Sequence, residues 1–159
     1  MAYELKVDGM TEISEMLSKL EEAAPAVASQ ALYEGAGIMS REIQSAAETI
    51  RTGPGPTRDS ARYATPEEKA AVLSVGAGIA KFNKNGTEVD TSVGFRNAGY
   101  AKLKGKTKPI PQIVNAINSG TSFMSKQPFV RKAASSGGQK SIEAMKAKIE
   151  EAVAAITKE

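Results

Sequence analysis

The chain contains no His and no Cys, so any chemistry would fall to carboxylates, hydroxyls, lysines and arginines. That removes thiol nucleophiles, Ser-His-Asp and Cys-His arrangements and the usual zinc sites. Disulfides are impossible, and nothing points to an oxidising compartment. Paired carboxylates at a fixed separation would suit acid–base work, and Glu67-Glu68, Glu143 and Glu150-Glu151 are the candidates. Glu67-Glu68 follow Pro66 directly and fit the first turn of a helix, where the dipole favours acids. Glu143, Glu150 and Glu151 lie opposite an apolar stripe and read as solvated. Gly53-Pro54-Gly55-Pro56 has prolines where a phosphate cradle needs N–H groups, and no Gly-Lys-Ser/Thr follows. Gly76-Ala77-Gly78 lacks the third glycine of a dinucleotide loop, and no Ser is followed three residues later by Lys. The expectation is a protein that is not an enzyme and takes no cofactor or metal.

Basic residues are the other chemical resource. Net charge is +3, but residues 1–50 carry −6, residues 81–110 carry +5 and residues 111–134 carry +3. Arg96, Lys102, Lys104, Lys106 and Lys108 crowd one polar stretch, 96–108. Such a stretch can face a nucleic-acid backbone or an acidic protein partner. Its single aromatic, Tyr100, is fewer than a base-stacking platform uses. The signal is therefore electrostatic, without sequence readout, and a solvated Lys-rich loop would give the same pattern.

The densest arrangement of distinctive residues is 118–134, Asn-Ser-Gly-Thr-Ser-Phe-Met-Ser-Lys-Gln-Pro-Phe-Val-Arg-Lys-Ala-Ala. Gly120 permits a sharp turn, and Thr121 and Ser122 can satisfy backbone groups in it. Pro128 sets a helix start, and Phe129 is a large anchor in a chain that is only 5% aromatic. Arg131 can make a bidentate contact with a carboxylate, and Lys126 adds charge to the spacer. These residues fit a partner-binding surface; Pro128 and Phe129 fit equally a core anchor and helix start that serve the fold alone.

The elements that must position these groups follow from periodicity. Residues 3–7 alternate as a strand, and Asp8-Gly9 turns the chain. Met10, Ile13, Leu17 and Leu20 predict a short helix over 10–22, with Thr11 near its cap. Pro25 fits the first turn of a second helix. Its stripe is Ala28, Leu32, Gly35, Met39, Ile43, Ala46 and Ile50. Gly35 and Gly37 each cost about 1 kcal/mol in a helix and call for a closely packed neighbour. Gly/Pro-rich 52–66 reads as a mobile loop, with a short helix opening at Pro66. Residues 76–95 read as a hairpin about the Asn85-Gly86 turn, where the Asn85-Gly86-Thr87 sequon is a chance match. Residues 96–108 read as a mobile loop, and Ile113, Val114 and Ile117 as a two-turn helix. Ser135-Ser136-Gly137-Gly138 reads as an interruption before a C-terminal helix over about 139–157, with Lys146–Glu150 as an i,i+4 pair.

The result is one domain, 1–159, of α+β class. A small, mainly antiparallel sheet is packed by a long Ala-rich helix and a C-terminal amphipathic helix, with long mobile loops. No secretory signal or membrane-length apolar run is seen, and no membrane partner is expected.

The 118–134 stretch resembles a motif of the tail-completion or head–tail joining (neck) proteins of long-tailed bacteriophages. That motif runs Gly-Thr-Ser, a polar or basic spacer, Pro-Phe, an aliphatic residue, Arg and a small apolar residue. The order of parts is similar too: strand, helix after Asp8-Gly9, long Ala-rich helix, Thr52-Gly53 turn, a Val-Gly-Phe strand at 93–95 and a closing Lys/Glu/Ala helix. Many members carry an acid before Gly-Thr-Ser and a Pro after the Arg, where this chain has Ser119 and Lys132. The resemblance implies a non-enzymatic virion protein, assembled in the bacterial cytoplasm as a ring of copies at the neck. Its neighbours would be the tail terminator or tube and the head connector. Gly120, Thr121, Ser122, Lys126, Pro128, Phe129 and Arg131 would serve the interfaces, and the acidic first half would meet the basic 96–132 region of the next copy. Lysines of 96–108 would meet partner protein or, non-specifically, passing DNA. The alternative is a non-specific nucleic-acid-binding protein using the same 96–132 region.

Overall fold

A computed structural model of the chain describes residues 10–85, 88–95 and 98–158. The strand expected at 3–7 lies outside the described residues, as does the turn before the first helix. The elements are α1 (Met10–Glu48), α2 (Pro66–Val75), β1 (Gly78–Asn85), β2 (Glu88–Gly94), β3 (Tyr100–Leu103), β4 (Lys106–Pro109), α3 (Ile110–Ser119) and α4 (Phe129–Thr157). The architecture is α+β. The strands form two separate antiparallel two-stranded sheets, β1–β2 and β3–β4, rather than one. The first packs on α1; the second sits beside α2 and α3.

Helix α1 corrects the expectation of a break before Pro25, and Thr11 lies inside the helix rather than at its cap. Proline removes one backbone bond and usually kinks a helix. Here Ala23, Ala24, Ala26 and Ala28 around it are strong helix formers. Residues 23, 25, 27 and 28 are also already partly covered, so packing holds the helix across the missing bond. At 1.5 Å per residue, α1 is about 58 Å long.

Helices α1 and α4 run antiparallel. Gly35 faces Ser141 and Met145, while Glu42 faces Ser136 and Lys140. A Cβ at Gly35 would lie 2.7 Å from Met145 Cγ, so its absence is what lets the helices close. Ser141 Oγ donates to the Gly35 carbonyl at 2.9 Å across this seam. Gly37 has no such neighbour; only Arg41 of its own helix comes within 4.0 Å. The expected interruption at 135–138 does not occur, because Gly137 serves the same seam. A Cβ there would lie 2.7 Å from Glu42 Cγ. Within α4 the ion pair formed is Lys148–Glu151 at 3.1 Å, in place of the Lys146–Glu150 pair expected from the spacing, and Lys140 pairs across the seam with Glu42 at 2.7 Å.

The core lies at the end of α1 away from its N-terminus. Ile43, Ala47 and Ile50 meet Val72 of α2, Ile113 and Ile117 of α3, and Phe129 of α4. Phe95 and Phe129 contact edge to face, with ring centroids 6.3 Å apart and planes at 68°. Helix α2 starts with a capping box. Thr65 Oγ1 accepts from the Glu68 N–H at 3.1 Å, and Glu68 Oε2 accepts from the Thr65 N–H at 2.8 Å. The 52–66 loop is closed at its base by Gly53 N–H to Ala64 O and Tyr63 N–H to Gly53 O.

Candidate functional site

Most of 120–132 is built into the fold. Gly120 has φ +78°, and a Cβ there would lie 3.1 Å from the Lys126 nitrogen. The chain therefore doubles back tightly only because this residue is glycine. The Thr121 N–H donates to Met124 O at 2.9 Å, and Thr121 Oγ1 accepts from the Met124 N–H at 3.0 Å. Phe129 is 3% exposed. Gly120, Thr121, Pro128 and Phe129 thus hold the segment, whereas Ser122, Lys126 and Arg131 are exposed. Phe123, which sequence reading passed over, is 67% exposed between them.

Three polar residues without any sequence signal stitch this segment to its neighbours. The Ser125 N–H donates to Arg62 O at 2.7 Å, and Ser125 Oγ to Ala61 O at 2.5 Å. Asn118 Oδ1 accepts from the Val130 N–H at 3.3 Å. Gln127 clasps the backbone of Arg51 on both sides: Oε1 accepts its N–H at 2.7 Å and Nε2 donates to its carbonyl at 3.0 Å.

That clasp builds a basic cleft. Arg51, Lys126 and Lys132 line a space of about 330 Å³ with Tyr63, Gln127 and Pro128. The Arg51 guanidinium sits 5.9 Å from the Tyr63 ring centroid, in cation–π range. Beyond Pro128 and Lys132 the cleft opens into a groove with Arg131, Ser135 and Ser136. No carboxylate lines either part. Arg51 joins this site from 76 residues away in sequence, so no local motif could reveal it.

The stretch 96–108 is not the continuous loop expected. Arg96 lies outside the described residues, and most of the rest is the β3–β4 hairpin. Lys104 (φ +47°) and Gly105 (φ +79°) make its two-residue turn, the left-handed pairing that tight hairpins need. The register pairs Lys102 with Thr107, Ala101 with Lys108 and Leu103 with Lys106. Directly opposed residues share a face. Lys106 and Lys108 therefore lie on one face, Lys102 on the other, and Lys104 at the tip. Composition alone made them one patch; the pleat divides them.

Leu103, Lys106 and Lys108 border a second cleft, of about 280 Å³, with Arg62, Thr65 and Glu68. Arg62 grips Glu68 with both guanidinium nitrogens, at 3.0 and 3.1 Å. Burial opposes the charge of Glu68, but hydrogen bonds from Arg62 and the Thr65 N–H outweigh it, with the fields of Arg62 and Lys108 adding to them. Its pKa lies below the usual carboxylate value. The same bond raises that of Arg62 further. Glu68 thus serves as a helix cap and as the ion-pair partner of Arg62.

The remaining candidate acids, Glu67, Glu143, Glu150 and Glu151, are exposed. Glu143 accepts from Gln139 at 3.0 Å. Among the described residues, no group of three or more acids is placed to hold a metal ion, and no helix is long and apolar enough to cross a membrane.

The other end of the molecule is different in kind. Continuing the α1–α4 pairing at equal rise along both helices brings Thr157 opposite roughly residue 21. The seam face of α1 then runs on without α4. Ile13 and Leu17 there are 53% and 60% exposed. No family model, curated protein or solved structure matches the chain.

Proposed function

We propose that this chain is a structural virion protein of a bacteriophage or prophage, completing the tail and joining it to the head at the neck. Copies form a ring through protein–protein contacts, with the tail terminator or tube on one side and the head connector on the other. The reading rests on the motif resemblance, and one structural observation supports it best. The 118–132 segment is pinned by Asn118, Ser125, Gln127 and buried Phe129, while Ser122, Phe123, Lys126 and Arg131 project from it. A rigid support beneath an exposed aromatic and two cations suits a docking surface. Contacts repeated around a ring multiply weak affinities without new interactions. Assembly takes place in the host cytoplasm and the product stays in the virion.

The test is electron microscopy of lysates from a phage with a nonsense mutation in this gene. Filled heads beside separate, normal-length tails are the expected result; intact infectious particles would refute it. A second reading, non-specific nucleic-acid binding, has the four lysines of β3–β4 and their turn in its favour. It predicts a log–log salt slope of about −0.9 for each phosphate neutralised on duplex DNA. The split of those lysines between faces favours protein partners over one continuous DNA track.

A further inference from the structure

Two surfaces left open among the described residues lie toward opposite ends of one long helix. At the start of α1, Ile13, Met16 and Leu17 are exposed at helical spacing, 53%, 37% and 60%. Glu15, Glu21 and Glu22 accompany them with one Lys19, so residues 13–22 carry −2. At the C-terminal end of α1 lie the cleft and groove of Arg51, Lys126, Arg131 and Lys132, neither lined by a carboxylate, with Ser136 at the groove's edge donating to Glu42 of α1 at 3.3 Å. Among the described residues, neither these four cations nor those three carboxylates take part in an ion pair.

We propose that residues 13–22 of one copy dock, apolar stripe inward, in the basic cleft and groove of a second copy. The stripe would lie on Pro128 and the aliphatic stems of Arg131 and Lys132, with Glu21 at its flank meeting the cations; Glu15 and Glu22 lie on the opposite face of the helix and add only to its long-range negative field. Residue 13 is about 53 Å from the end of α1 at 1.5 Å per residue, so the two surfaces of one chain cannot meet. The contact is therefore between copies and head to tail, which propagates into a closed ring or an open filament. Two acidic ends pairing with each other would set like charges together, which disfavours a symmetric dimer through this helix. The inference deepens the ring reading and rests on its self-assembly.

The test is sedimentation velocity on the full chain, with circular dichroism to verify folding. One variant, Ile13→Asp/Leu17→Asp, loses the docking helix; the other, Lys126→Glu/Lys132→Glu, loses the receiving cleft. All four positions are exposed, so both variants fold. The wild type should associate as concentration rises toward about 1 mM, less so in high salt. Each variant alone should associate about tenfold or more weakly. Mixed, they should form one-to-one pairs and nothing larger, because each supplies the half the other lacks. Adding Glu21→Lys, the carboxylate that flanks the stripe, to an otherwise wild-type helix should restore part of the binding to the Lys126→Glu/Lys132→Glu cleft. A wild type that stays monomeric, variants that associate like wild type, or a mixture that fails to pair would each overturn the docking. So would duplex DNA binding lost on Lys126→Glu/Lys132→Glu with self-association unchanged. A monomeric wild type together with detached tails in the nonsense mutant would refute this contact and leave the neck reading standing.

Discussion

Phe129 separates a residue that builds the docking surface from residues that form it. Its ring is 3% exposed and meets Phe95 edge to face at 6.3 Å. Phe129→Ala removes that contact and leaves a cavity, at a cost of about 3–5 kcal/mol for a buried phenylalanine. In a domain of this size 1 kcal/mol shifts the melting temperature by about 2–4 °C, so Tm should fall by roughly 6–20 °C. Phe129→Leu keeps most of the volume and should cost under about 1.5 kcal/mol. Arg131→Ala, on the exposed side of the same turn, should stay within about 0.5 kcal/mol of wild type. Thermal unfolding followed by circular dichroism at pH 7 reads all three. A Phe129→Ala protein that melts with the wild type would refute the placement of this ring in the core.

Glu68, held below its usual pKa by Arg62 and Thr65 against the opposing effect of burial, adds stability that is present above its unfolded-state value. That stability is lost as pH falls through its lower folded value, so the loss begins below about pH 4.5. Glu68→Gln should lower Tm at pH 7 by the equivalent of about 1–2 kcal/mol and flatten the fall between pH 5 and pH 3, at about these bounds; an unchanged acid slope would contradict this. Gly137→Leu should separate α1 from α4, because even a Cβ would sit 2.7 Å from Glu42 Cγ. A loss of more than about 2 kcal/mol is expected, and Gly138→Leu, with nothing within 4 Å, is the control. Pro25→Ala restores a backbone bond inside α1 and should raise stability by up to about 3 kcal/mol, measured by urea unfolding; a loss would show that the helix needs its proline.

The long stripes of α1 and α4 were legible because apolar residues recur every three or four positions over many turns. Local breakers misled where packing outweighs propensity. Pro25 and Ser135-Ser136-Gly137-Gly138 look like helix ends, yet Gly137 is there to admit Glu42. The β3–β4 hairpin was missed because its strands are short and Lys-rich, and its turn puts a lysine in the left-handed region usually given to Asn or Gly. Within the candidate site, Phe129 could be read as an anchor from its rarity in an aromatic-poor chain. Ser125 and Gln127 could not, since polar residues in a loop look alike until their distant partners, Ala61 and Arg51, are in place. The basic cleft was only half visible. Lys126, Arg131 and Lys132 stand together in sequence, whereas Arg51 and Tyr63 reach them through the fold.

Copies of this chain are proposed to form a ring between head and tail, and electron cryomicroscopy of the neck in purified virions would image that ring itself. The expected image is a ring at the top of the tail whose subunits fit the long α1–α4 pair, with the start of each α1 seated at the Lys126–Lys132 cleft of its neighbour. A neck fully accounted for by other proteins, or virions from which this chain is absent, would contradict it.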